Sequence, residues 1–176
     1  SPETFAAIEE DTCATAGVCG MMGTGNTMGC LIEAMGLCLP GAATTPAVFA
    51  AKRRQAKETG ERIMAMVRQG LRPRDLVTEA SLRNAVRFLM AVGGSTNAVL
   101  HLPALAAEAG LGLSLSCIDE LSTLTPCIAK FKPSSHYTLW DFHEAGGVGA
   151  VLAELACLLE GQEVTVTGGP LQEYFT

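Results

Sequence analysis

Apolar residues recur every three or four positions through most of the chain, which is the spacing of amphipathic α-helices. The clearest case is residues 27–37, where the apolar side chains from Met28 to Met35 share one face before Leu39-Pro40-Gly41 ends the helix. Residues 1–18 fit a short helix or an irregular lead-in. The same spacing predicts further helices at residues 46–69, 73–92, 96–109 and 148–159, with shorter ones at 139–144 and from 116 onward.

Three short segments have the pattern of buried strands. They are residues 111–115, residues 128–131 (a strand or an extended loop) and the alternating residues 162–167. We therefore predict an α/β fold that is rich in helices, with a few short, mostly parallel strands and helices packed around them. No internal repeat or low-complexity linker divides the sequence, so a single domain over residues 1–176 is expected.

The composition narrows the classes of function. Hydrophobic residues make up 48% of the 176, which argues against disorder, and the net charge of −6 argues against a nucleic-acid binder. Lys52-Arg53-Arg54 fits one charged helix face. No apolar run approaches the roughly 20 residues that span a bilayer. The seven cysteines form no C-x-x-C pair, so a reducing, cytoplasmic location with mostly buried thiols is expected.

Residues 17–25 (GVCGMMGTG) form a glycine-rich loop that leads into the first clear helix. Exposed backbone N–H groups and the partial positive charge of a helix N-terminus favour anionic or electron-rich ligands there. From the residues alone, Cys19 is either a buried thiol or a metal ligand. Thr24, Asn26 and Thr27 are either helix caps or polar contacts to a substrate. A dinucleotide fingerprint is not indicated, because no apolar strand precedes the glycines.

A second candidate pair is Asn97 and His101, which are four residues apart and so share one helix face. They could point into a ligand cleft, or His101 could hydrogen-bond at a packed helix surface. His136 and His143 lie among polar residues and are expected at the surface.

Three blocks of sequence resemble one enzyme family. They are residues 16–28 (AGVCGMMGTGNTM) continuing into 33–41, residues 93–102 (GGSTNAVLHL), and residues 132–147 (KPSSHYTLWDFHEAGG). In order along nearly the whole chain, they resemble the dihydroxy-acid, phosphogluconate and sugar-acid dehydratases.

The resemblance implies a chemistry that uses an iron–sulfur cluster held by three cysteines and a nearby magnesium ion. Such enzymes remove water from a dihydroxy acid or sugar acid, and the product becomes a 2-keto acid. By the resemblance, Cys19 is the third cluster cysteine. The C-D-K motif that carries the second one does not occur here. The magnesium ligands and the serine base also belong to other parts of the family's chain.

The chain therefore resembles the later half of the family's N-terminal α/β domain, with none of the catalytic residues. We expect a fragment or truncated homologue of an iron–sulfur hydro-lyase that does not hold a stable cluster alone. Substrate contacts are expected from Thr24, Asn26, Thr27, Asn97 and His101. The alternative is a non-catalytic oligomerisation or binding module. A homo-oligomer, or a partner chain that supplies the missing half, is expected because the absent parts would normally cover apolar surface.

Overall fold

The computed structural model describes residues 1–13 and 16–175, and its regular secondary structure is helical. The helices are α1 (Pro2–Asp11), α2 (Thr24–Ala34), α3 (Ala50–Gln69), α4 (Pro73–Leu76), α5 (Glu79–Val92), α6 (Ala98–Glu108), α7 (Leu115–Leu124), α8 (Leu139–Glu144) and α9 (Gly147–Glu154). Two 3₁₀ turns follow, at Ala156–Leu158 and Leu171–Tyr174.

Glycines end the helices where the sequence predicts. The C-cap of α3 is Gly70, with φ of 69°, and the C-cap of α5 is Gly93, with φ of 57°. Both values are left-handed, a conformation that glycine adopts without the steric cost of a Cβ. Helix α8 has the predicted bounds. Helix α3 begins four residues later than predicted, because Phe49 is still extended at its N-cap.

The single helix predicted over residues 73–92 is two helices. Thr78 is extended, with φ of −119° and ψ of 167°, and its hydroxyl accepts a hydrogen bond from the backbone N–H of Ser81. The Ser81 hydroxyl in turn bonds the backbone N–H of Thr78 at 2.9 Å. This capping box starts α5 afresh, and α4 is left as one short turn.

The helix-rich character is confirmed, but the predicted strands are not observed in the described part of the chain. Residues 111–113 have no regular secondary structure and lead to Ser114, which caps α7. The backbone N–H groups of Ile128 and Ala129 both bond the carbonyl of Ala91 at the end of α5, so they have no strand partner. In the segment 162–167, Val164 makes one isolated antiparallel bridge, to Pro170 beyond the end of the segment.

The hydrophobic core surrounds α5. Phe88, Ala85 and Ala91 of that helix are completely buried. Helix α5 packs against α2 and α7 and also contacts α6 and α9. The other completely buried apolar side chains are Cys30, Leu31, Ala34, Val86, Ala98, Leu102, Ala106, Leu121, Val148 and Leu152.

Helices α1 and α3 contribute nothing to this core, because neither contains a buried residue. Phe5 and Ile8 of α1, and Ile63, Met64 and Val67 of α3, are largely exposed. Among the described helices, none combines the length and the apolar character needed to cross a membrane.

Candidate functional site

The glycine-rich loop places Cys19 at the surface, immediately before α2. Its side chain is exposed. Gly17 has φ of +104°, and a Cβ added there would lie 2.8 Å from the Cβ of Ala47. Any larger residue would therefore push the loop away from the segment that contains Ala47. The loop can approach that segment closely because position 17 has no side chain.

Asn26, in the first turn of α2, fixes the shape of the Cys19 loop. Its side-chain amide donates to the carbonyl of Cys19 at 2.8 Å and to the carbonyl of Met21 at 2.7 Å. Only 7% of Asn26 is exposed, so these bonds are largely shielded from water. The backbone on both sides of Gly20 is thus tied to α2.

A turn at residues 41–45 forms the facing wall, and Glu33 holds it from inside the protein. Glu33 is 1% exposed, and its two carboxylate oxygens accept the backbone N–H groups of Gly41 and Ala43, each at 2.7 Å. Burial raises the pKa of the Glu33 carboxyl, while the two N–H donors and the nearby Lys52 charge lower it. The side chain of Lys52 donates to the carbonyl of Ala42 at 2.5 Å.

The start of α8 forms the third wall. Trp140 makes an edge-to-face contact with Phe49, with ring centroids 5.3 Å apart. His143 lies one turn further along, and its Nδ1 is 3.2 Å from the hydroxyl of the buried Thr44. His143 is therefore half-buried, and its predicted surface position is wrong, whereas His136 is exposed as predicted.

A cavity of about 380 Å³ lies between these three walls. Its lining is mostly apolar, with the Cys19 loop on one side and the residue 43–48 segment and Lys52 on the other. The lining residues are Ala16, Gly17, Val18, Cys19, Gly20, Asn26, Ala43, Thr44, Thr45, Pro46, Ala47, Val48, Lys52, Leu139 and Trp140.

The other predicted site residues form a separate polar cluster beside the start of α2. The side-chain amide of Asn97 donates to the Thr24 hydroxyl at 2.8 Å, and Ser95 lies 3.2 Å from the same hydroxyl. Thr27 is buried and accepts the backbone N–H of Ser95 at 3.0 Å. His101 is exposed one turn along α6. Of the predicted residues, Cys19 and Asn26 line the cavity.

A family model described as the N-terminal region of dihydroxy-acid/6-phosphogluconate dehydratases matches residues 1–174. The chain belongs to this family. The resemblance inferred from the three sequence blocks is thereby confirmed.

The family includes several dihydroxy-acid dehydratases that are similar to this chain. One from Nitratidesulfovibrio vulgaris (strain DP4) is 49% identical over 168 residues, which are 94% of this chain and 30% of that protein. Dihydroxy-acid dehydratase 1 of Methanosarcina acetivorans is 51% identical over 166 residues, with the same two coverages. The protein of Methanococcoides burtonii is 48% identical over 173 residues, covering 98% of this chain and 31% of its own length. The chain thus spans about 30% of the length of these curated relatives.

The resemblance implies an iron–sulfur cluster held by cysteines, so the positions of the thiols decide whether this chain could ligate one. All seven cysteines are free, and Cys19 is the one in the cavity lining. The expectation of mostly buried thiols is wrong, since Cys13, Cys127 and Cys157 are also exposed and Cys30 alone is fully buried. Within residues 1–13 and 16–175, no three metal-ligating side chains converge. The loop therefore fits one thiolate ligand and leaves the others to be supplied elsewhere.

The sequence pattern predicts no role for Glu33 or Thr44, and it places Lys52 on a charged helix face. Arg53 and Arg54 do face solvent, but Lys52 is half-buried at the cavity. The one available signal was Glu33, a carboxylate in the middle of an apolar helix. A charged residue in such a position is usually buried only when it has partners.

Proposed function

We propose that this chain forms part of the active site of an iron–sulfur hydro-lyase, which removes water from a dihydroxy acid to give a 2-keto acid. The observation that carries the proposal is the position of Cys19 in a chain of this dehydratase family. Cys19 is an exposed thiol on a glycine-rich loop that lines a cavity. The similar relatives named dihydroxy-acid dehydratases favour that substrate class over sugar acids.

In this proposal Cys19 would hold one iron of the cluster, and an iron that no cysteine binds would supply the Lewis acid for the departing hydroxyl group. The other cluster ligands, the magnesium ligands and the base would come from parts of the protein outside this chain. Asn26 keeps the Cys19 loop in one conformation. Gly20, beside Cys19, adds no side chain to the loop, and a Cβ built there would come no nearer than 3.8 Å to the Cβ of Thr138.

We further propose that Thr24, Asn97 and His101 contact the substrate. Their support is position: the Thr24–Asn97 pair lies at the N-terminus of α2, directly after the Cys19 loop, and His101 is exposed on the adjoining helix. Asn26 and Thr27 are buried and engaged by the backbone of neighbouring loops. Their proposed contribution is therefore to hold the site in place.

Anaerobic iron and sulfide reconstitution tests the role of Cys19. In the full-length protein that contains this segment, we expect Cys19→Ser to abolish stoichiometric cluster binding and dehydration of a dihydroxy acid. A serine hydroxyl is a far poorer iron ligand than a thiolate. Cys157→Ser is the matched control, because Cys157 is also exposed but lies away from the cavity. Unchanged iron and sulfide content in Cys19→Ser would contradict the proposal.

The second candidate function is association through an apolar surface. The chain exposes 9798 Å², compared with about 8,100 Å² for a compact monomer of this mass. Exposed large side chains include Phe5, Ile8, Leu100 and Trp140. We propose that exposed apolar side chains of this kind pack on a second copy, or on a partner chain that completes the site. A cytoplasmic location is proposed from the seven free thiols.

Size-exclusion chromatography with light scattering measures the association directly. We expect a mass of at least twice 18.3 kDa for the chain by itself. A monomer at concentrations of tens of micromolar would contradict self-association. Iron reconstitution only after addition of a partner chain would favour the partner-chain alternative.

A further inference from the structure

Helix α2 contacts two of the three walls of the cavity, the Cys19 loop and the turn at residues 41–45, through two side chains on the same face. Asn26 and Glu33 are seven residues apart, so they lie about two helical turns, or roughly 10 Å, from each other on one side of the helix. Both are buried, and every bond that they make to a wall is to backbone atoms.

Asn26 and Glu33 form hydrogen bonds to different walls. Asn26 donates to two carbonyls of the Cys19 loop, those of Cys19 and Met21. Glu33 accepts two N–H groups of the facing turn, those of Gly41 and Ala43. A helix is stiff over two turns, so the separation of the two contact points is set by the helix itself.

A second charged side chain, from a different helix, also holds the turn. Lys52, from α3, donates to the carbonyl of Ala42, which lies between the two N–H groups bound by Glu33. Three consecutive residues of the turn are thus held by side chains of opposite charge. Thr45 adds a bond from its hydroxyl to the carbonyl of Gly41 at 2.7 Å and accepts one from Gln55 at 2.9 Å.

We propose that α2 is the spacer that sets the width of the cavity, and that Asn26 and Glu33 are the positioning residues at its two ends. Lys52 assists Glu33 by binding the same turn through the carbonyl of Ala42. The inference deepens the proposed function and rests on it for the identity of the ligand. The spacing of the two walls is a property of this chain's own residues and can be tested without any ligand.

Glu33 suits this role better than glutamine because the turn presents two donors. A carboxylate offers an acceptor to each, whereas an amide offers one oxygen and turns its NH₂ group toward the other N–H. Glu33→Gln therefore loses one charge-assisted hydrogen bond and leaves a buried donor unpaired. The substitution hardly changes side-chain volume, so the core around α2 keeps its packing.

Peptide-resolved hydrogen–deuterium exchange of the protein tests the proposal. In Glu33→Gln we expect exchange over residues 41–45 to rise at least about tenfold, since a lost hydrogen bond of this kind is worth that factor or more. Exchange over residues 19–22 should stay within about twofold of wild type. Asn26→Ala should give the reverse pattern, with the rise confined to residues 19–22. Glu58→Gln, on the exposed side of α3, is the matched control and should change neither.

Lys52→Met gives an independent check if Glu33→Gln does not fold. Lys52 is half-buried on a helix outside the core, so the variant is expected to fold and to raise exchange over residues 41–45 alone. Lys52→Arg keeps the donors and should retain wild-type exchange. Equal increases at both walls, or throughout the chain, in any of these variants would overturn the proposal. Cluster binding does not enter the measurement, so a failed reconstitution leaves this result interpretable.

Discussion

Replacing Phe88 with alanine is expected to lower the free energy of unfolding by about 3–5 kcal/mol. Phe88 is 0% exposed and lies in α5, the helix that packs against α2 and α7. The substitution removes the transfer free energy of a whole ring and leaves a cavity that helices on several sides cannot close. Domain stabilities are about 5–15 kcal/mol, so this change is a large fraction of the total.

Urea denaturation followed by far-ultraviolet circular dichroism measures the loss for Phe88→Ala. Phe5→Ala is the matched control, because Phe5 is 67% exposed on a helix with no buried residue. We expect the control to change the free energy of unfolding by less than about 0.5 kcal/mol. Similar losses in the two variants would mean that α5 is not at the centre of the core.

Replacing Gly36 with alanine is expected to cost about 2–4 kcal/mol of unfolding free energy, from two separate causes. Gly36 has φ of +72°, which an L-residue adopts only with strain. In addition, a Cβ at this position would lie 2.5 Å from Cγ2 of Thr165, whose side chain is completely buried. The backbone also leaves little freedom to move, because the carbonyl of Gly36 accepts the N–H of Val166 at 2.8 Å.

Gly70→Ala separates the two causes. Gly70 has φ of +69°, almost the same as Gly36, but no atom lies within 4 Å of its added Cβ. Its substitution should therefore cost only the left-handed strain of about 1–2 kcal/mol. The difference between the variants, measured by urea denaturation, is the cost of the contact with Thr165. Equal destabilisation would show that residues 165–166 shift freely when Gly36 gains a side chain.

Local chemistry predicts the helix ends well in this chain. Gly70 and Gly93 end α3 and α5 because the left-handed C-cap depends on the glycine itself and on no distant residue. The break at Thr78 interrupts the helix predicted over residues 73–92, although the Thr78–Ser81 capping box is also local. Pro73 and Asp75 already supply a helix start, so the apolar spacing alone does not indicate a second one.

The strand predictions failed because extended apolar segments have several possible partners. Ile128 is a β-branched residue of the kind enriched in strands, yet its backbone N–H donates to the carbonyl of Ala91 at the end of a helix. Leu113 is followed by Ser114, whose hydroxyl caps α7. Periodicity indicates that such a segment is extended or apolar, but strand pairing depends on which other segment of the protein lies beside it.

In the candidate site too, local sequence predicts some residues, whereas others depend on contacts between distant segments. Cys19 and Asn26, which line the cavity, could be singled out because the glycine-rich loop and the following helix are continuous in sequence. The roles of Glu33 and Lys52 depend on a turn that folds back between α2 and α3, which brings Gly41 and Ala43 to the carboxylate. No spacing rule predicts that contact from the residues alone.

The cavity walls come from segments far apart along the chain, at residues 16–20, 43–48 with Lys52, and 139–140. A ligand that fits all three binds only molecules in which these segments have already met. By mass action, such a ligand at 100 times its dissociation constant would add about 2.7 kcal/mol to the free energy of unfolding. Occupancy of the cavity would therefore stabilise the whole folded chain against unfolding, because no one segment forms the site by itself.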